Sequence, residues 1–233
     1  MQGAAVPGAV PKIEVILVPT GAEYQAVQRG MRLVQHPPRV VPIPAGPIAL
    51  QAFLARWAGP ALSATGGILL MGLGGSLSPR LGVGDRVLVE ALWDGRSVDL
   101  DRIYPCHGPM TQGLGQRLPD VTLAHGVTCD RVITTLAEKR QLGDRYGADV
   151  VDMEGVTLLQ GLPNCPIAIL RVISDDCHHE LPDISAAIGP EGSLKPMVLT
   201  GRFLQRPLAA LRLIRGSLQS LKALEHLAVS LCA

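Results

Sequence analysis

Lys12-Ile13-Glu14-Val15-Ile16-Leu17-Val18-Pro19, followed by Thr20-Gly21, decides the fold class of this 233-residue chain. Ile13, Val15, Ile16, Leu17 and Val18 form a β-branched run of strand length that stops at Pro19-Thr20-Gly21, and 22–33 then has helical spacing. A strand, a small-residue turn and a helix make an α/β opening. Further along, 67–71 and 166–172 are continuous apolar runs of the buried-strand kind, and 86–90 and 121–127 also read as strands. Helices are expected at 48–58, 136–146 and 155–162, the second closed by Gly147 in the left-handed conformation. Strands alternating with helices over this length imply one three-layer α/β/α domain spanning 1–233. Two stretches are expected as loops: 36–47, with many prolines, and 94–116, polar and rich in glycine. Residues 1–11 are expected to be flexible. Within 197–233, leucines and isoleucines at helical spacing predict amphipathic helices, two of them separated at Pro207.

Composition narrows the function. Apolar residues make up 47% of the chain, yet aromatics number only seven, so Leu, Val, Ile and Ala must build the core. The 21 basic residues nearly balance 20 acidic ones. That argues against a nucleic-acid binder, which needs a basic excess facing phosphates, and against a disordered acidic chain. Although mean hydropathy is +0.28, no apolar run reaches the roughly 18 residues of a spanning helix. The N-terminus lacks the basic start and apolar stretch of a secretory signal. Cysteines at 106, 129, 165, 177 and 232 contain no Cys-x-x-Cys pair, so a reducing cytosol is the expected compartment.

Three segments place small or polar residues where buried strands end, the position at which open α/β sheets bind ligands. Gly72-Leu73-Gly74-Gly75-Ser76 lets backbone approach an anion or a sugar, or is an ordinary glycine turn; it is neither a P-loop nor a dinucleotide fingerprint. Asp152-Met153-Glu154 offers a carboxylate to vicinal ribose hydroxyls, or charges that favour a helix N-terminus. Arg171-Val172-Ile173-Ser174-Asp175-Asp176 ends in an acid able to protonate a departing heterocycle, or in a helix cap. Cys177-His178-His179-Glu180 invites a metal, but adjacent side chains point apart and no second cluster completes a site, so no metal is assigned. Cys129 with His107 and His125 has no spacing that marks a thiol nucleophile and its base.

Taken together and in this order, the segments resemble the nucleoside phosphorylase/nucleosidase superfamily. Gly72–Leu77 with Pro79 and Leu81-Gly82-Val83-Gly84-Asp85 is similar to its glycine loop and following strand. Val150-Val151-Asp152-Met153-Glu154-Gly155 resembles its ribose motif, and Arg171–Asp175 resembles the strand ending in its Ser-Asp acid. The resemblance implies a single-domain α/β/α sandwich around a central mixed sheet. Within the superfamily the likeness is nearest to the hopanoid-associated phosphorylases, through Glu180-Leu181-Pro182, Ile188-Gly189-Pro190-Glu191-Gly192, Gln205-Arg206-Pro207-Leu208 and the segment from Gly126-Val127 to Ala137-Glu138-Lys139-Arg140. Methylthioadenosine/S-adenosylhomocysteine nucleosidases share the core motifs without that tail.

What the resemblance implies is N-glycosidic cleavage of a 5′-substituted adenosine, releasing adenine. Glu154 would bind ribose hydroxyls and Met153 would pack on the sugar. Asp175, oriented by Ser174, would protonate or hydrogen-bond N7, and Glu23 lies where relatives hold a water-activating carboxylate. The segment containing Val132 and Ile133 would grip the base with aliphatic side chains where relatives place a Phe. The loop Gly72, Leu73, Gly74 and Gly75 would face phosphate or water. Phosphorylases carry an Arg and a Ser where this chain has Leu70 and Leu73, so both nucleophiles stay open. No cofactor is implied; phosphate would enter as a co-substrate. The implied partners are a nucleoside, lipid-linked in the hopanoid reading, and further copies of the chain, with no nucleic acid. A tail with Arg202, Arg206, Arg212, Arg215 and Lys222 either contacts an anionic membrane surface or is a solvated basic face over packed leucines. An inactive adenosyl-ligand binder is the reading from another class.

Overall fold

The structure, a computed structural model, describes residues 11–182 and 207–232 apart from 58, 60, 61, 98, 100 and 119. The motif at 188–192, Gln205, Arg202, Arg206 and most of 1–11 lie outside the described residues. Eight strands form one mixed sheet: β1 (Lys12–Pro19), β2 (Arg39–Ile43), β3 (Gly66–Ser76), β4 (Arg86–Asp94), β5 (Ile103–Pro105), β6 (Val121–Thr128), β7 (Val150–Asp152) and β8 (Ile167–Asp175). Helices are α1 (Ala22–Met31), α2 (Pro47–Arg56), α3 (Gly108–Arg117), α4 (Leu136–Tyr146), α5 (Gly155–Gly161) and α6 (Pro207–Ser230).

Strand β1 is buried on both faces, and its period-2 alternation feeds two separate cores. Val15 and Leu17 join Ile68, Leu70, Ile167 and Ile169 beneath α2 and α5, where Leu50 and Leu158 close the layer. Ile16 and Val18 join Leu69, Met71, Ala168 and Leu170 beneath α1, α3 and α6, with Val27, Met110 and Leu227. Two apolar faces on one sheet require helices on both sides, which is the three-layer arrangement. The cores are aliphatic, as the scarcity of aromatics requires.

The strands also form a hydrogen-bonded circuit. β8 lies between β3, parallel, and β4, antiparallel; β4 pairs with β6, β6 with β7, and β7 returns antiparallel to the end of β3. That closure brings Gly75 opposite both Val151 and Asp175, so the ends of three strands converge.

Three expectations need correction. Residues 39–43 form β2, not loop: it lies at the sheet edge, parallel to β1, where Pro42 is tolerated because one side of an edge strand needs no ladder. The stretch 94–116 contains β5 and most of α3, whose start is fixed by His107 Nδ1 accepting from the Met110 N–H and by Pro109 in the first turn. Gly72–Ser76 is not a turn after a strand but the second half of β3, paired with β8 and β7. Leu136–Tyr146 forms as expected, with Gly147 at φ 59° and ψ 29° as its left-handed cap and Thr135 Oγ1 accepting from the Glu138 N–H. Pro207 opens α6, whose inner face buries Leu224, Leu227 and Ala228.

Candidate active site

At the convergence of β3, β7 and β8 lies a cavity of about 300 Å³. α1 contributes Glu23; β3 contributes Leu73, Gly74 and Gly75; the β7–α5 junction contributes Asp152, Met153 and Glu154; and β8 ends in Ser174 and Asp175. Arg131, Val132 and Ile133 line it from the segment before α4, Leu213 and Ser217 from α6, and Leu181 from the chain after β8. The described lining includes no aromatic ring. Of the residues proposed from sequence, only Gly72 is not on the wall. It lies behind it, where a Cβ would sit 2.4 Å from Glu23 Oε2 and 2.7 Å from Arg171 Nη1. Only glycine permits those two charged groups to crowd one face of a strand.

One wall is a buried ionic cluster. Arg171, on β8, is inaccessible to solvent. Its Nε and Nη2 donate to Asp152 Oδ2, and Nη2 donates also to Glu154 Oε2 at 3.1 Å. Asp152 is held further by the Thr128 hydroxyl (2.6 Å) and the Gly155 N–H (3.1 Å). Glu154 Oε1 accepts from the Gly46 N–H at 2.9 Å. Glu23 Oε2 accepts from the Leu73 N–H at 2.7 Å. Three carboxyl groups thus surround one guanidinium, and Arg171 Nη1 has no hydrogen-bond partner among the described residues.

Electrostatics follow from this crowding. Burial, reinforced by Glu154, raises the Glu23 carboxyl from its usual 4.5 to about 7. Burial likewise raises Glu154, with Arg171 opposing. For Arg171 burial disfavours the charge, but Asp152, Glu154 and Glu23 outweigh it and the guanidinium is held more firmly protonated. A carboxyl near 7 beside a fixed cation is suited to take a proton at neutral pH.

The opposite wall holds Asp175. Its Oδ1 accepts from Lys139 Nζ at 2.7 Å, and Ser174 Oγ lies 3.2 Å from its Oδ2 and 3.2 Å from the Gly74 carbonyl. Burial raises the Asp175 carboxyl, while Lys139 and Ser174 pull against that rise. Arg171 and Lys139 were not singled out from sequence. Arg171 is an isolated charge inside the apolar run 166–172, and Lys139 occupies the inward stripe of α4 that continues at Leu142 and Tyr146; both are signals of a buried ion pair.

The other candidates have ordinary roles. Asp176 Oδ1 accepts the backbone N–H groups of His178 and His179, which fixes a turn. Among the described residues no three His, Cys, Asp or Glu side chains gather as a metal would need. Cys129 is buried and its thiol is pushed up to about 12, chiefly by burial and then by Asp152, the reverse of an activated nucleophile.

Residues 31–189 match the family model of the phosphorylase superfamily. Among solved structures, futalosine hydrolase of Helicobacter pylori strain 26695 is similar with a TM-score of 0.66 at 14% identity, covering 95% of this chain and 97% of that one. The 5′-methylthioadenosine/S-adenosyl homocysteine nucleosidase of H. pylori has a TM-score of 0.63 at 14% identity, covering 93% and 95%; its ligand joins an amino-pyrrolopyrimidine to a propynylthiomethyl pyrrolidinol. The corresponding Streptococcus pneumoniae nucleosidase, with bound 8-aminoadenine, has a TM-score of 0.57 at 16% identity, covering 90% and 99%. At these identities the likeness is one of fold. No curated protein sequence matches the chain.

Proposed function

We propose that this chain, which belongs to the phosphorylase superfamily, hydrolyses the N-glycosidic bond of a 5′-substituted adenosine and releases adenine. The observation that carries the choice of water over phosphate is the position of Glu23. Its carboxyl occupies the Leu73 N–H, a donor that an anionic co-substrate would need. Around it stand Asp152, Glu154 and a single guanidinium already paired to both. A site with this excess of carboxyl groups repels phosphate and stabilises the positive charge that develops on ribose. Leu70, where phosphorylases carry an Arg, is buried in the core and offers no cation.

In this reading Glu23 accepts a proton from the attacking water, and Arg171 Nη1–H, which shares the Gly72 face with Glu23 and has no hydrogen-bond partner among the described residues, helps to orient it. Glu154 binds the ribose hydroxyls and Met153 packs on the sugar. Asp175, held by Ser174, protonates N7, while Val132 and Ile133 grip the base. The ligands of the two similar nucleosidases support a 6-aminopurine. Leu73, Leu181 and Leu213 support an apolar 5′ substituent, of which a hopanoid chain is the extended case. Leu211, Ile214 and Leu218 are exposed on α6, on a different face from the cavity residues Leu213 and Ser217, and support peripheral contact at a membrane. No helix of the described residues is long and apolar enough to cross one. A homo-oligomeric, cytoplasmic enzyme without a metal completes the proposal.

The test is adenine release from 5′-methylthioadenosine and from adenosines with longer 5′-alkylthio chains, with phosphate varied. The expected result is turnover independent of phosphate that falls ~100-fold or more in Asp175→Asn. Undiminished turnover in that variant removes Asp175 from the reaction. Binding without turnover supports the inactive binder.

A further inference from the structure

Lys139 has no solvent exposure and does not line the cavity. Its Nζ lies 2.7 Å from Asp175 Oδ1 and 2.6 Å from the Asp176 carbonyl. Placing an ammonium inside a protein costs several kcal/mol unless a counter-charge meets it. Here the salt-bridge partner is the carboxyl on the base side of the cavity. α4 is built to deliver it: Thr135 caps the helix, and Lys139, Leu142 and Tyr146 share its inward face. Ionic contact from behind leaves Oδ2 as the carboxyl oxygen not claimed by Lys139.

We infer that Lys139 is a positioning residue that makes Asp175 a stronger acid towards the departing base and neutralises the carboxylate left after proton transfer. This rests on the nucleosidase reading above. In the step, the C1′–N9 bond breaks and its electron pair passes to the purine. N7 takes the proton from Asp175 Oδ2, water oxygen bonds to C1′, and the water proton goes to Glu23. Without Lys139 the new carboxylate would keep, among the described residues, only the Ser174 hydroxyl as a side-chain hydrogen-bond partner. Other charges face Asp175 from each side: Glu23 from α1, Glu154 from the β7–α5 junction, Arg131 from the segment before α4, and Asp176 next in the chain. Of these Asp176 raises the Asp175 carboxyl. Among the described residues, β3 presents only Leu73, Gly74 and Gly75 to the cavity and α6 only Leu213 and Ser217, and none of these carries a charge.

The variant Lys139→Gln keeps amide N–H donors but removes the cation. With 13C-labelled aspartate, the Asp175 carboxyl resonance, assigned by its loss in Asp175→Asn, is followed against pH. In Lys139→Gln its midpoint should rise by ~1–3 pH units; an unmoved midpoint overturns the inference. Turnover should fall ~10-fold more for 5′-methylthioadenosine than for 4-nitrophenyl riboside, whose leaving group departs without a proton. Equal losses on both substrates mean a structural role only and overturn it too. Should the Gln variant fail to fold, Lys 15Nζ spectra of the wild-type protein replace it: the Lys139 resonance must move as Asp175 titrates, and indifference to that titration overturns the inference. If the wild-type protein releases no adenine, the functional reading falls, while the titration still judges the pair.

Discussion

Replacing Glu23 by Gln should make the protein slower and more stable at once. The carboxyl is buried, repelled by Glu154 and raised to about 7, against a usual 4.5. That displacement corresponds to about 3 kcal/mol in favour of the protonated form within the fold. A carboxyl raised in this way contributes stability that is fully present below about 4.5 and is lost as pH rises through about 7. Gln is neutral throughout, and its amide oxygen can still accept from the Leu73 N–H. Urea unfolding should therefore show Glu23→Gln more stable than wild type at pH 8, by up to ~3 kcal/mol, with the difference vanishing near pH 4.5. Catalysis should move the other way. As a base, Glu23 must be ionised, so wild-type kcat/KM should rise about tenfold per pH unit up to about 7 and then level off. The Gln variant should lose ~100- to 10,000-fold and show no such limb. Retention of both the limb and the rate in Glu23→Gln would refute the assignment of the base. A variant less stable than wild type at pH 8 would refute the account of the cluster's repulsion.

Two more substitutions probe the same wall. Gly72→Ala places a methyl 2.4 Å from Glu23 Oε2, 2.7 Å from Arg171 Nη1 and 3.2 Å from Pro19 Cδ; it should cost ~1–3 kcal/mol and sharply reduce kcat, and a wild-type melting temperature with wild-type rate would contradict this packing. Arg171→Met strands the buried Asp152 and Glu154 carboxylates and should cost ~3–5 kcal/mol, more at pH 8 than at pH 5 because protonation of Glu154, already raised by burial, relieves it; a loss equal at both values would count against the cluster.

The reach of sequence reasoning differs between elements for physical reasons. β1, β8 and α4 were legible because their burial writes itself as an apolar run or a capped helix. β2 was not, since prolines at 37, 38, 42 and 44 mask a strand that needs hydrogen bonds on one side only. Glycines at 72, 74 and 75 mark the site in the sequence, where they read as a ligand loop or a turn after the strand; they lie within β3, and their small size serves close approach of Glu23, Arg171 and Asp175. Asp175, Glu154 and Glu23 were found through segments that end strands or open helices. Lys139 and Arg171 were missed because each is charged within an otherwise apolar stripe, and its counter-ions lie 17 to 36 positions away in the chain. Such pairs become visible only when the sheet closes its circuit.

Transfer of solvent oxygen tests the central claim most directly. Incubation with 5′-methylthioadenosine in 18O-water, with and without phosphate, followed by mass spectrometry of the sugar product, reads the nucleophile at C1′. Free adenine together with a sugar bearing one 18O at C1′, in yields unchanged by phosphate, is the predicted result. A ribosyl 1-phosphate formed in proportion to phosphate, with no labelled sugar, would contradict it.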